Sequence, residues 1–256
     1  MEVHWNEIAL EIAREVEREV MPLFGTPKAG ETIGTNVSGD VTEYVDKVAE
    51  DVVLGRLQPL GVNVVSEERG FVDNGSDYTV IVDPIDGSYN FTAGIPVFAL
   101  SFAVFRDKKP VYGAIYEFVP GNFYEAIPGE GAFMNGKPIK VRKPERGKEA
   151  LSFYTRGRCT GLIEKVKRVR VLGAIAVELA YLAKGALDGV LDVRNYVRTT
   201  DIAAGALIAR EAGALITDER GRELKLRLDA TSKTNIVAVN DRYLLDLILE
   251  ELENEP

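Results

Sequence analysis

Val80-Ile81-Val82-Asp83-Pro84-Ile85-Asp86-Gly87-Ser88-Tyr89-Asn90-Phe91 is the stretch from which the fold and the chemistry of this chain are read. Its β-branched start predicts a strand, and the strand stops abruptly at Asp-Pro. Pro84 fixes its own φ and holds Asp83 extended. Asp86-Gly87-Ser88 then opens a short helix, with Asp86 expected near its cap. Strand ends that run into glycine-containing turns commonly hold ligands in α/β proteins. The free N–H groups of such an opening suit a phosphate. The two carboxylates, three residues apart, can share or straddle divalent cations.

Three further acidic positions stand at element boundaries. Asp40 follows Ser38-Gly39 and precedes Val41-Thr42. Glu67 and Glu68 follow the apolar run Val62–Val65. Asp201 follows Thr199-Thr200 and precedes Ile202-Ala203-Ala204-Gly205, where a helix is expected to start. Any one of them reads as a cap or a solvated acid. Together with Asp83 and Asp86 they outline a hard-cation site built of oxygen ligands. Five clustered negative charges repel strongly unless cations join them.

Composition narrows the alternatives. The 256 residues carry 31 Lys plus Arg against 40 Asp plus Glu, a formal charge of −9, with one His and one Cys. One cysteine forms neither an internal disulfide nor a cysteine-rich zinc site, and His4 alone supplies no histidine-based metal site. The acidic balance argues against general nucleic-acid binding. No apolar run is long enough to span a membrane, and acids from the second residue onward argue against a signal peptide. A cytoplasmic enzyme is the expectation. Gln58 is the sole glutamine, Met numbers three, and charged residues are plentiful, which suits a thermophile.

Periodicity predicts an amphipathic helix over 3–20 that carries His4, a loop or mobile hairpin over 25–40, and a helix capped by Thr42 and running to about Leu57. Strands are expected at Val62–Val65, Tyr78–Val82, Val97–Phe105, Val111–Phe118 and Asn122–Ile127, with a hairpin turn at Asn135-Gly136. Gly131–Pro138 has P-loop spacing, but Pro138 replaces the Ser or Thr that would hold Mg²⁺, so a turn is the better reading. Beyond about 150, strands (Leu151–Tyr154, Val169–Leu172, Gly189–Val193, Ala214–Thr217, Asn235–Val239) alternate with helices (Gly161–Lys167, Ala174–Lys184, Asp201–Ala212, Asp241–Glu251). An α+β lobe over 1–148 thus passes into an α/β lobe over 149–256, the two forming one compact unit.

These motifs carry a resemblance. Val82–Phe91 looks like the D-P-[IL]-D-G-[ST]-x-N-F signature of the inositol monophosphatase superfamily. Ser66-Glu67-Glu68, Gly39-Asp40-Val41-Thr42 and Thr200–Gly205 resemble that family's G-E-E, D-x-V-T and W-D-x-A-A-G segments, in family order. The short, charge-rich chain most resembles the archaeal type that acts as both fructose-1,6-bisphosphatase and inositol-1-monophosphatase. The resemblance implies a layered αβαβα sugar-phosphatase fold and a homodimer. It implies that Glu67, Asp83 and the Ile85 carbonyl hold a first Mg²⁺, and that Asp83, Asp86 and Asp201 hold a second. Asp40 with Glu67 would serve a weaker third ion and position the attacking water. Gly87 and Ser88 would bind phosphate. Mn²⁺ would be a substitute metal, and a phosphorylated sugar or polyol the substrate.

The chain departs from the family pattern in three places. Thr200 replaces the usual Trp. The sugar-facing G-[ST]-A-A segment reads Gly173-Ala174-Ile175-Ala176, so Ala174 and Ile175 meet the sugar without a hydroxyl. Arg194 stands where inositol-specific members carry an acid, and with Arg170 it favours a second phosphate. A bisphosphate sugar therefore ranks first. A 3′-phosphoadenosine 5′-phosphate phosphatase shares the motifs, and a non-catalytic metal- or phosphate-binding regulator is the reading from another class.

Overall fold

In the computed structural model, which describes residues 3–254, Trp5–Val20 forms α1 with Ala9, Ile12, Ala13, Val16 and Val20 buried along one stripe. His4 precedes this helix rather than lying on it. The segment expected as a loop or mobile hairpin contains a hairpin of β1 (Thr32–Thr35) and β2 (Val41–Glu43). Thr42 lies in β2 and does not cap the next helix. The Glu43 N–H donates to the Asp46 carboxylate at 3.1 Å and closes the start of α2 (Tyr44–Leu57).

The first sheet follows: β3 (Asn63–Ser66), β4 (Gly70–Val72), β5 (Tyr78–Asp86), β6 (Ala99–Arg106), β7 (Lys109–Glu117), β8 (Asn122–Ile127), β9 (Gly131–Met134) and β10 (Lys137–Ile139), with the short helix α3 (Ser88–Thr92) after β5. These eight strands lie in the order β10-β9-β8-β7-β6-β5-β3-β4, and only β3 and β5 run parallel. The β9–β10 turn has Asn135 at φ 51° and Gly136 at φ 73°, the left-handed pair that a two-residue hairpin needs.

The second sheet takes β11 (Ala150–Tyr154), β12 (Arg168–Arg170), β13 (Gly189–Arg198), β14 (Leu215–Thr217) and β15 (Lys233–Val239), in the order β12-β11-β13-β15-β14. Between and after them run α4 (Leu162–Lys165), α5 (Ile175–Ala183), α6 (Thr199–Glu211) and α7 (Arg242–Glu253). α4 is shorter than the sequence predicts, and β13 extends to Arg198.

Alternation along the strands explains the layering. Val80 and Val82 of β5 face a core shared with α1 and α2. Ile81 faces the opposite side, a core shared with α5 and α6. In the second sheet Val190, Ile236 and Ala238 join that same middle core, while Leu191, Val237 and Val239 pack with Leu244, Leu245 and Ile248 of α7. The result is the αβαβα sandwich that the resemblance implied, with α5 and α6 as its central layer. Gly205 is what allows them to approach, since a Cβ there would lie 2.7 Å from Leu179.

Candidate metal centre

In a regular strand, residues three apart point to opposite faces. β5 breaks that rule where it matters. Asp83 pairs with Ser101 and Asp86 with Ala99, so β5 uses one more residue than β6 over this interval. Such a bulge re-aims side chains, and Pro84, which has no N–H to give the ladder, sits inside it. Asp83 also accepts the Ile85 N–H at 3.0 Å, which fixes the turn. The outcome is that Asp83 joins the acids of the cluster, while Asp86 lies next to it, close enough for its charge to act on Asp83. Asp86 is not a cap for α3, as its position in the sequence suggested. Gly87 takes that place with φ 93°, and Asp86 instead accepts the Ala176 N–H at 2.7 Å.

Glu67 stands on the turn from β3 to β4. That turn is held from beneath by Glu50 of α2, a buried carboxylate bonded to the Ser66 hydroxyl and to the Arg69 N–H at 3.0 Å. Thr42 of the hairpin bonds Glu68 on the same turn. Asp201 lies in the first turn of α6, where an acid is favoured by the helix dipole. It accepts the Arg198 N–H at 2.8 Å and the Thr200 hydroxyl at 2.9 Å. The Ser101 hydroxyl in turn donates to the Thr200 carbonyl at 3.2 Å, tying β6 to the start of α6.

These elements bring one carboxylate oxygen from each of Glu67, Asp83 and Asp201 within 4.8 Å of one another. Burial, with the charges of Glu67, Asp86 and Asp201, pushes Asp83 well above the usual carboxylate range. Burial, with Asp201 next to it, does the same to Asp86. Asp201 is raised to about 6, by burial first and Glu67 second. Among the described residues neither Asp83 nor Asp86 has an ion-pair partner. Buried acids without a counter-charge are costly. An all-oxygen set fits a hard divalent cation, and nothing in it fits a thiophilic one.

Asp40 reaches the cluster through a residue the sequence reading passed over. Arg198 ends β13, is 6% exposed, and pairs with both Asp40 and Glu67. No motif marks it. The signal was its place three positions before Asp201, where its backbone N–H meets that acid.

The sugar-side residues divide. Gly87 lies against Ala174: a Cβ on Gly87 would meet the Ala174 Cβ and the Val97 carbonyl, each at 3.0 Å. Ala174 and Ile175 are buried at the opening of α5, and Ser88 beside Gly87 is half-buried. The loop before α5 is fixed by Asn90, which donates to the Leu172 carbonyl at 2.7 Å, and by Glu178, which accepts the Leu172 N–H at 2.6 Å. Glu178 was also missed, and burial raises it to about 7. Arg194 is not a free cation. It forks onto buried Asp192, with Nη2 to Oδ2 at 2.5 Å, and stacks over Tyr154. Arg170, on edge strand β12, lines a depression with Arg142, Lys148 and Arg168 and donates to the Val169 carbonyl at 2.9 Å.

With this geometry in view, comparison with known proteins is decisive. The family model of the inositol monophosphatase family matches residues 2–256. The chain belongs to that family. It is 70% identical, over the full length of both chains, to a fructose-1,6-bisphosphatase/inositol-1-monophosphatase of Thermococcus kodakarensis. It is 57% identical to a fructose-1,6-bisphosphatase of Pyrococcus furiosus, across 97% of this chain and 98% of that one. A crystal structure of an inositol monophosphatase–fructose 1,6-bisphosphatase superposes with a TM-score of 0.95 at 49% identity, covering 98% of this chain and all of that one. The family is metal-dependent, in keeping with the acidic cluster. No helix among the described residues is long and apolar enough to cross a membrane.

Proposed function

We propose that this protein is a Mg²⁺-dependent phosphomonoesterase that hydrolyses fructose 1,6-bisphosphate and inositol 1-phosphate, with Mn²⁺ as a substitute metal. The observation that carries the reading is the convergence of Glu67, Asp83 and Asp201, with Asp86 beside them, at the junction of the two sheets. The relative at 70% identity bears both activities in its name, and the one at 57% bears the first. On this reading Glu67, Asp83 and the Ile85 carbonyl hold one ion, Asp83, Asp86 and Asp201 a second, and Asp40 with Glu67 a weaker third. Divalent metal bound there supplies Lewis-acid activation of water and neutralises charge on the leaving oxygen.

The chain's own groups do the rest. Asp40 and Glu67 orient the attacking water as hydrogen-bond acceptors. Gly87 and Ser88 present backbone N–H groups to the phosphate, and the Gly87 φ of 93° is the backbone setting that turns them inward. The Ser88 hydroxyl would sit near the same water. Ala174 and Ile175, both buried, would back the sugar pocket without offering a hydroxyl, and Arg194 would meet the sugar's far phosphate or hydroxyl. Residues 1–148 act as the lobe holding most of the acids and 149–256 as the lobe giving Asp201 and the sugar-side contacts. The working form is a homodimer, and neither nucleic acid nor membrane is a partner.

Phosphate release at high temperature from fructose 1,6-bisphosphate, inositol 1-phosphate and 3′-phosphoadenosine 5′-phosphate tests the substrate choice. The first two turn over on this reading. Release from the nucleotide alone would overturn it.

A further inference from the structure

Arg198 occupies the seam between the acid cluster and the β1–β2 hairpin. Its side chain is 7% exposed, and the guanidinium forks so that Nη1 donates to Glu67 and Nη2 donates to Asp40. Its Nε is buried with no hydrogen-bond partner, so the guanidinium's hydrogen bonds go to these two acids. Burial opposes the charge on Arg198, yet Glu67, Asp201 and Asp40 more than compensate. A guanidinium stays protonated at any working pH and cannot leave by losing a proton.

The hairpin depends on few ties. All four residues of β1 are exposed. Asn36 accepts the N–H groups of Ser38 and Asp40 at 3.0 Å and reaches Glu67 only at 3.5 Å. Asp40 itself is 42% exposed, so its ion pair with Arg198 is the strongest link between the hairpin tip and the buried acids.

We propose that Arg198 is a positioning residue acting as the built-in counter-ion of the Asp40–Glu67 edge, holding the hairpin on the metal-free site and yielding when a divalent cation binds between those two carboxylates. The proposal rests on the metal-dependent reading above and extends it. A carboxylate oxygen engaged by the fork is not open to a cation, and a cation close to the guanidinium is repelled. Asp83 and Asp86 have no such partner. The fork engages Glu67 through Oε1 alone, so the two ions that Asp83 joins bind first, and Arg198 is the reason the third, on the Asp40–Glu67 edge, binds last and most weakly.

Calorimetric titration of Mg²⁺ into chelator-stripped protein tests this, together with limited proteolysis within residues 32–43. In R198Q the weakest Mg²⁺ affinity rises about tenfold, the scale of one charge-assisted hydrogen bond, and the metal-free hairpin is cut faster until Mg²⁺ restores protection. R198K keeps the charge without the planar fork and moves both readouts the same way by less. An unchanged or lowered weakest affinity in either folded variant, or a hairpin as protected as in the wild type, overturns the inference. Wild-type protein that binds no Mg²⁺ overturns the metal-dependent reading itself, and the inference with it.

Discussion

The Asp86 carboxylate accepts the Ala176 backbone N–H at 2.7 Å, joining the end of β5 to the opening of α5 across ninety positions of sequence. One acid thus fastens β5 to α5 with one oxygen and, on the proposed reading, offers the other to the metal. In Asp86→Asn the side-chain carbonyl still accepts that N–H, so the fold is kept while the charge is lost. Turnover falls more than about a hundredfold, the scale of removing one electrostatic element from a site. Phosphate-release rates and thermal melting, measured on the same preparation, check both halves.

Arg194 contributes differently. Its charge is shared with Asp192, which is fully buried. Arg194→Ala leaves that acid unpaired, and a lone buried carboxylate destabilises. The melting temperature drops, and KM for fructose 1,6-bisphosphate rises more than KM for inositol 1-phosphate. Comparing the two KM ratios with those of the wild type decides whether Arg194 reads the second phosphate. Equal rises in both assign it a structural role only.

Gly205 sets two effects against each other. Alanine is favoured over glycine in a helix interior by about 1 kcal/mol. A Cβ here meets Leu179 at 2.7 Å in the tightly packed middle layer. Overpacking of that kind costs about 1–3 kcal/mol. Steric cost wins, and Gly205→Ala lowers stability in a denaturant titration.

Several carboxyls hold protons unusually tightly in the folded metal-free chain. Burial raises Glu178 to about 7 and Asp46 to about 8, and Asp201 reaches about 6. Each is protonated in the folded state at pH values where the unfolded chain has already released its proton. Unfolding therefore becomes easier as pH rises from about 5 to about 8, and stability is greatest near the acid end of that window. Mg²⁺ removes the share of the slope that comes from the ligand acids Asp83, Asp86 and Asp201, while that of Glu178 remains and that of Asp46 shrinks, since the Glu67 charge contributes to it. Melting curves across this window, with chelator and with Mg²⁺, show the difference.

Much of this was legible in the sequence, because the decisive signals are local. A β-branched run broken by Asp-Pro marks the strand and its end, and turn residues such as Asn135-Gly136 mark a hairpin on their own. The acids Glu67, Asp83 and Asp201 stand at strand and helix ends, where boundaries are readable from neighbours. What stayed hidden depends on distant partners. That Asp86 meets Ala176 rather than capping α3 follows from how α5 packs. Arg198 and Glu178 sit in ordinary-looking segments, and only the fold turns them toward Glu67 and the Leu172 loop.

The most direct test is phosphate release from fructose 1,6-bisphosphate by chelator-stripped protein, before and after Mg²⁺ is added back. The metal-free protein is expected to be inactive, with activity returning in proportion to the Mg²⁺ bound. Release that persists without divalent metal, or fails to return with it, would contradict the assignment of Glu67, Asp83, Asp86 and Asp201 as the ligands of a catalytic metal centre.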